Sequence, residues 1–251
     1  MKKMIPTEVL KEQAALAALK FVKNGDTIGL GTGSTVKYAI DGLGNNLKNG
    51  TLSDIKAIST SLSSEARAKD NKIPTTSFDE TVKLDVYIDG ADEVDQALRL
   101  IKGGGGALLR EKIVAQNSAL KIIIVDASKL SERVGEKWHL PVEVFPLALG
   151  AELNFLKSLD AVARVRTDDK GEPFITDNGN FIIDANFGRI HKARKMAKML
   201  DARAGIAGHG LFIDLCDILI VAYPNGVMHI RKGEKETFKN LLDSVSPAQT
   251  F

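Results

Sequence analysis

Leu84-Asp-Val-Tyr-Ile-Asp-Gly-Ala-Asp-Glu93 is the stretch whose reading decides the fold. Its first half is an apolar, β-branched and aromatic run of strand length, and it stops at an acidic, glycine-containing turn. Asp89 and Asp92 therefore belong where a buried strand ends and its loop begins. Lys102-Gly-Gly-Gly-Gly-Ala-Leu-Leu-Arg-Glu-Lys112 follows shortly after, opening on a lysine and carrying a run of bare backbone amides and a helix.

The same grammar repeats outward from this stretch. Towards the N-terminus, Thr7 is expected to cap a helix running to about Lys23, with Asn24-Gly25 ending it. Thr27–Leu30 reads as a strand, Val36–Leu43 as a helix, Ile55–Ile58 as a strand and Ser61–Lys69 as a helix. Towards the C-terminus, a helix over Ala107–Ala115 precedes the strand Lys121–Val125. Strands that are nearly all apolar and alternate with helices imply a parallel sheet covered on both faces. The expected fold class is thus α/β, with a doubly wound, mostly parallel sheet.

After about Leu130 the order changes. Val142–Phe145, a helix over Leu147–Leu159, a strand over Ala161–Thr167 and a hairpin-like pair over Phe174–Ala185 follow, turning at Asp177-Asn-Gly179. A basic helix, His191–Ala202, and a strand near Ala207–Phe212 complete a β-α-β-β-α-β series. That series predicts an inserted smaller α+β domain of the ferredoxin-like, split-βαβ kind. Asp217–Ala222 and Val227–Ile230 form a further hairpin around Pro224-Asn-Gly226 and return to the main sheet. The expected division is 1–130 plus 207–251 for the larger domain and 131–206 for the smaller. The polar tail after Arg231 is expected to be helical or frayed.

Composition narrows the function classes. Lys and Arg total 34 against 32 Asp and Glu, so no long-range field favours nucleic acid or an anionic membrane. No stretch approaches a membrane span, and the start Met-Lys-Lys-Met-Ile-Pro-Thr-Glu lacks a signal-peptide core. The lone cysteine, Cys216, rules out an internal disulfide and lies in an apolar run, where core packing is its expected role. A cytoplasmic protein is expected.

Several motifs bear on chemistry. Gly29-Leu-Gly-Thr-Gly-Ser-Thr35 joins a strand to a helix, where backbone amides and the helix dipole favour a phosphate. It is a poor dinucleotide fingerprint, because the third required glycine is replaced by Ser34 or Val36, and it lacks the lysine of a nucleotide-triphosphate loop. Asp89 and Asp92 leave a buried strand at the end where such sheets bind ligands. Magnesium is the rival reading for the pair, but no further ligand cluster supports it, and no metal is expected. Glu93 and Asp95 read instead as a solvated acidic loop capping the next segment. Consecutive glycines after Lys102 allow close backbone approach to an anion. Glu111 lies about one helical turn beyond them and can project back towards whatever they bind. The four histidines, 139, 191, 209 and 229, have no metal-ligand spacing and read as surface or loop residues.

Taken together, these segments resemble the ribose-5-phosphate isomerase type A family. The resemblance is carried by the glycine turn at 29–35, Thr60-Ser-Leu-Ser-Ser-Glu65, Asp89-Gly-Ala-Asp-Glu93 and the Lys102–Lys112 segment. It continues through Val125-Asp-Ala-Ser-Lys129, Leu140-Pro-Val-Glu-Val144, Thr176-Asp-Asn-Gly-Asn180 and Pro224-Asn-Gly-Val227. It implies interconversion of ribose 5-phosphate and ribulose 5-phosphate, in the pentose phosphate pathway and without a cofactor. It further implies that Glu111 is the proton-abstracting base, with Asp89, Asp92 and Lys102 around the sugar's C1 and C2 oxygens. Thr32, Gly33, Ser34, Thr35, Gly90, Ala91, Gly103, Gly104, Gly105 and Lys129 are implied to bind substrate, and Lys11 to lie on the phosphate side. A homodimer or homotetramer is expected by the same route. The resemblance leaves open which aspartate moves the hydroxyl proton. The unbroken glycine run and the final Ser-Pro-Ala-Gln-Thr-Phe are departures from the family pattern. Competing readings are a sugar-phosphate-sensing effector protein without turnover, and a related sugar-phosphate lactonase or deaminase-like enzyme. A nicotinamide enzyme ranks below both. A sensor normally carries a helix-turn-helix module, and only one helix fits ahead of Thr27.

Overall fold

The computed structural model describes residues 5–81 and 83–245. The chain begins with α1 (Thr7–Leu19), β1 (Thr27–Leu30), α2 (Val36–Lys48), β2 (Lys56–Ser59), α3 (Leu62–Asp70) and β3 (Leu84–Asp89). Two short strands, β4 (Glu93–Asp95) and β5 (Leu100–Ile101), precede α4 (Leu108–Gln116), β6 (Ser118–Asp126) and β7 (Leu130–Ser131). The smaller series is β8 (Leu140–Val144), α5 (Leu149–Ser158), β9 (Val162–Val165), β10 (Phe181–Asn186), α6 (Ala193–Asp201) and β11 (Ile206–His209). The chain then runs through β12 (Leu211–Phe212), β13 (Ile218–Tyr223), β14 (Gly226–Arg231) and α7 (Lys235–Val245).

The main sheet has the order β14-β13-β6-β3-β1-β2, parallel throughout except for the β13–β14 hairpin at its edge. Alternation within its strands builds a core on each face, as a period of two demands. Ile122, Ile124, Ile218 and Ile220 face α1 and α2, while Ile123, Val125, Leu219 and Val221 face α4 and α7. Cys216 is buried on the second face, where burial raises its thiol pKa far above the usual range. It is packing, as expected.

The smaller sheet has the order β11-β8-β10-β9, the strand order of a split βαβ unit, with its own core around Val142, Leu156, Ile183 and Leu200. The doubly wound α/β reading and the ferredoxin-like insertion therefore hold, but four local expectations need correction. Thr7 does not cap α1; Pro6 occupies the cap position and the helix stops at Leu19. The segment Phe174–Ala185 is not a paired hairpin, since Ile175 and Phe181 share only one bridge and β10 pairs with β9 and β8. The strand expected near 207–212 divides at Gly210, β11 joining the smaller sheet and β12 a third one. That third sheet, β12-β5-β4-β7, was not anticipated, because its two- and three-residue strands carry no periodicity. Lys235–Val245 forms a helix within the polar tail, and the Ser-Pro-Ala-Gln-Thr-Phe end lies outside the described residues.

Candidate active site

Parallel pairing of β1 with β3 brings the turn after Leu30 beside the end of β3. A Cβ built on Gly31 would lie 2.0 Å from the Asp89 Cγ, so only glycine lets the turn approach that carboxylate. Asp89 is fully buried and its oxygens are saturated. Oδ1 accepts from the amides of Thr32 at 3.1 Å and Gly90 at 2.7 Å. Oδ2 accepts from the Tyr87 hydroxyl and lies 2.8 Å from the Lys102 ammonium.

Lys102, 2% exposed, also donates to the Gly90 carbonyl at 2.7 Å and stands 3.3 Å from Glu111 Oε1. Burial opposes its charge, but Asp89 and Glu111 outweigh that penalty, and its pKa is raised from the ordinary lysine value. Glu111 sits in the first turn of α4 and is 3% exposed, with Oε2 finding no hydrogen-bond partner among the described residues. Burial drives its pKa up to about 8, against the pull of the Lys102 charge and with a push from Asp89 and Asp92. A desolvated carboxyl group with a raised pKa, next to a fixed ammonium, is chemically suited to exchange a proton near neutral pH.

Asp92 differs from Asp89. Its Oδ2 accepts from the Gly104 amide at 2.7 Å, and its Oδ1 has no protein donor among the described residues. Burial raises its pKa, while the Gly104 amide, Lys102 and Lys129 act in the opposite sense.

Lys11, Thr32, Gly33, Ser34, Thr35, Gly90, Ala91, Asp92, Lys102, Gly103, Gly104, Gly105, Glu111 and Lys129 all line one cavity of about 220 Å³. Asp89 is buried behind the lining and touches it through Lys102 and through the amides of Thr32 and Gly90. At one end the turn Thr32–Thr35 feeds the N-terminus of α2, with Lys11 of α1 alongside. Thr32 is steadied from behind, its hydroxyl lying 2.7 Å from that of Thr60 and 2.8 Å from that of Ser61. Thr7, Asp126 and Ser128 also line the cavity, although sequence reading did not assign them there. Asp126 ends a buried strand as Asp89 does, and the same strand-end argument points to it.

Glu93 and Asp95 correct a further expectation, because both are fully buried rather than solvated. Glu93 accepts from Ser131 Oγ and from the amides of Gly135, Glu136 and Lys137, organising the loop ahead of β8. Asp95 does cap its local turn, through the amides of Ala97 and Arg99, and pairs with the Arg99 guanidinium. His209 is not a surface residue: it is buried, 3.0 Å from Asp201 and 3.2 Å from Lys112 Nζ. Burial, reinforced by Lys112, lowers its pKa to about 4 and keeps it neutral. Among the described residues no group of three or more His, Cys, Asp or Glu is placed to hold a metal ion.

A raised carboxylate, a buried ammonium and an amide-rich turn around one polar cavity define an enzyme site for proton transfer on a small anionic substrate. The model of the family "Ribose 5-phosphate isomerase A (phosphoriboisomerase A)" matches residues 56–226. Ribose-5-phosphate isomerase A of Desulfatibacillum aliphaticivorans is 46% identical, over 91% of this chain and 99% of the relative. That of Thermococcus kodakarensis is 41% identical, over 90% and 99%. A D-ribose-5-phosphate isomerase solved in complex with phospho-erythronic acid superposes with a TM-score of 0.88 at 42% identity, covering 90% of this chain and 100% of that one. The ribose 5-phosphate isomerase A structure from Methanocaldococcus jannaschii gives 0.86 at 38% identity, over 90% and 100%. This chain belongs to the ribose 5-phosphate isomerase A family.

Proposed function

We propose that this protein interconverts D-ribose 5-phosphate and D-ribulose 5-phosphate, an aldose–ketose isomerisation of the pentose phosphate pathway. Family membership supports the reaction, and the observation that carries the mechanism is the unpartnered Glu111 Oε2 beside Lys102. Glu111 takes the C2 proton of the open-chain aldose, and the C–H electron pair becomes the C1=C2 bond of a cis-enediolate. The charge arriving on O1 is stabilised by Lys102 and by glycine amides. A proton passes from O2 to O1, and Glu111 returns its proton to C1 as the C2 carbonyl forms. No electron is gained or lost overall.

Of the two aspartates, we assign the hydroxyl proton shuttle to Asp92, which faces the cavity with one oxygen free. Asp89, saturated and buried, orients Lys102 instead. Lys11 and the Thr32–Thr35 turn take the phosphate, whose remote binding energy positions the reacting carbons. The division into 1–130 plus 207–251 and 131–206 has partial support from the cores: β11 pairs wholly with β8 and extends the smaller unit to His209, and Ile101 and Leu211 pack into its core. A homodimer or homotetramer is supported by the exposed apolar side chains Phe145, Leu147 and Val162. Cytoplasmic residence is supported by the single buried thiol. No helix of the described residues is long and apolar enough to cross a membrane.

The test is conversion of ribose 5-phosphate by wild type and Glu111→Gln, with EDTA present. We expect turnover in wild type and a loss of at least about 10²-fold in kcat in the variant. Near-normal turnover by Glu111→Gln would remove the base from this residue. Substrate binding without turnover in both proteins would mark a sensor.

A further inference from the structure

Arg166 stands behind the cavity, just beyond the end of β9, yet it holds the cavity's wall. Its Nη1 donates to the carbonyls of Gly103 at 2.9 Å and Gly104 at 3.1 Å. Its Nε and Nη2 form two parallel bonds to the Asp184 carboxylate of β10, at 3.0 and 2.6 Å. Both side chains are mostly buried, and the Phe174 ring lies 5.9 Å from the guanidinium carbon. None of the proton-transfer steps uses this fork.

A run of glycines has the largest backbone freedom of any sequence, and the one bond inside it, from the Gly106 amide to the Gly103 carbonyl at 3.0 Å, leaves the Gly104 carbonyl to be fixed from outside. In a trans peptide the carbonyl and the next amide point in opposite directions. Drawing the Gly103 and Gly104 carbonyls towards Arg166 therefore aims the Gly104 and Gly105 amides away from it. The Gly104 amide meets Asp92 Oδ2 at 2.7 Å. The Gly105 amide has no protein acceptor among the described residues, and Gly105 lines the cavity.

We propose that Arg166, fixed by Asp184, is a positioning residue that sets these two peptide planes. Through them it holds Asp92 in place and leaves the Gly105 amide for an oxygen of the enediolate. The role rests on the isomerase reading above. It needs the planar fork of an arginine, because one ammonium cannot satisfy the carboxylate and both carbonyls in that geometry.

Calorimetric affinities of two probes, phospho-erythronic acid and inorganic phosphate, test this role. Phospho-erythronic acid places a carboxylate where the enediolate oxygens form, whereas inorganic phosphate reports only the remote end. In Arg166→Lys, phospho-erythronic acid should bind at least about tenfold more weakly, with kcat falling comparably. Inorganic phosphate should change by less than about twofold, which also shows that the cavity is still folded. Asp184→Asn keeps the arginine but releases its fork, and should give the same selective loss to a smaller degree. Equal weakening of both probes, or no weakening, would overturn the proposal. Failure of the wild type to bind phospho-erythronic acid would remove the isomerase reading and this role with it.

Discussion

Glu111 shows how one residue's environment sets both chemistry and stability. Its folded pKa, about 8, lies well above the ordinary 4.5 because the carboxylate is desolvated. The folded state therefore keeps a proton that the unfolded chain releases between those values. Stability from this group is fully present below 4.5 and is lost as pH rises through about 8. Glu111→Gln has no such titration. Its Tm relative to wild type should climb between about pH 5 and pH 9, and a pH-independent difference would rule out the raised pKa. The acid limb of kcat/KM should likewise sit well above the usual carboxylate range, since the base works ionised. The sequence marked Asp89 and Asp92 as a pair but could not separate them. The residue types are identical, and only burial and hydrogen-bond saturation, which come from the packed turn after β1, distinguish the proposed anchor from the proposed shuttle.

At the scale of elements, the parallel sheet succeeds because the ends of β1, β3 and β6 deliver Thr32, Asp92 and Asp126 to one cavity. Gly31 is where two such ends meet. Gly31→Ala would drive a methyl group into the Asp89 carboxylate and displace the anchor of Lys102. We expect a stability loss of about 1–3 kcal/mol in chemical denaturation, together with at least about a tenfold fall in kcat. Unchanged kcat in a stably folded variant would show that Asp89 does not govern Lys102. Elements with a strong period were legible: Leu84–Asp89 as a buried strand and Leu108–Gln116 as the helix bearing Glu111. The β12-β5-β4-β7 sheet was not, since its strands are too short to show alternation and exist only through long-range pairing. For the same reason Glu93 looked like a solvated acid. Its partners come from residues 131–137, far along the chain. Arg166 escaped notice because its partners are two backbone carbonyls, which leave no pattern in a sequence, and a carboxylate 18 residues along the chain.

The whole molecule must hold the smaller sheet against the larger one for the cavity to keep its shape, and besides Arg166 and Lys112 the turn at 176–180 joins them. The Asp177 carboxylate accepts from the Leu62 amide at 2.8 Å, at the N-terminus of α3. Arg110, next to Glu111 in the chain, donates to Asn178 Oδ1 at 2.8 Å and to the Asp177 carbonyl at 2.9 Å. Beneath the turn, buried Glu143 accepts from Thr176, Asn178 and Asn180, so its shape is fixed from within the smaller sheet. The turn is thus a rigid arm from one sheet that caps a helix of the other. Its grip reaches the turn proposed to hold the phosphate, because Ser61 at the cap of α3 also meets the Thr32 hydroxyl. Asp177→Ala removes an acceptor comparable to a helix cap, worth about 0.5–2 kcal/mol. Because Asp177 is partly exposed, the effect belongs at the lower part of that range, and Tm should fall by about 2–4 °C. The direct reporter is the Leu62 amide, whose hydrogen exchange should accelerate as its acceptor disappears. KM should rise more than kcat falls, since the proposed phosphate turn loosens while Glu111 and Lys102 keep their own contacts. Unaltered protection at Leu62 would mean that this arm does not hold the two sheets together.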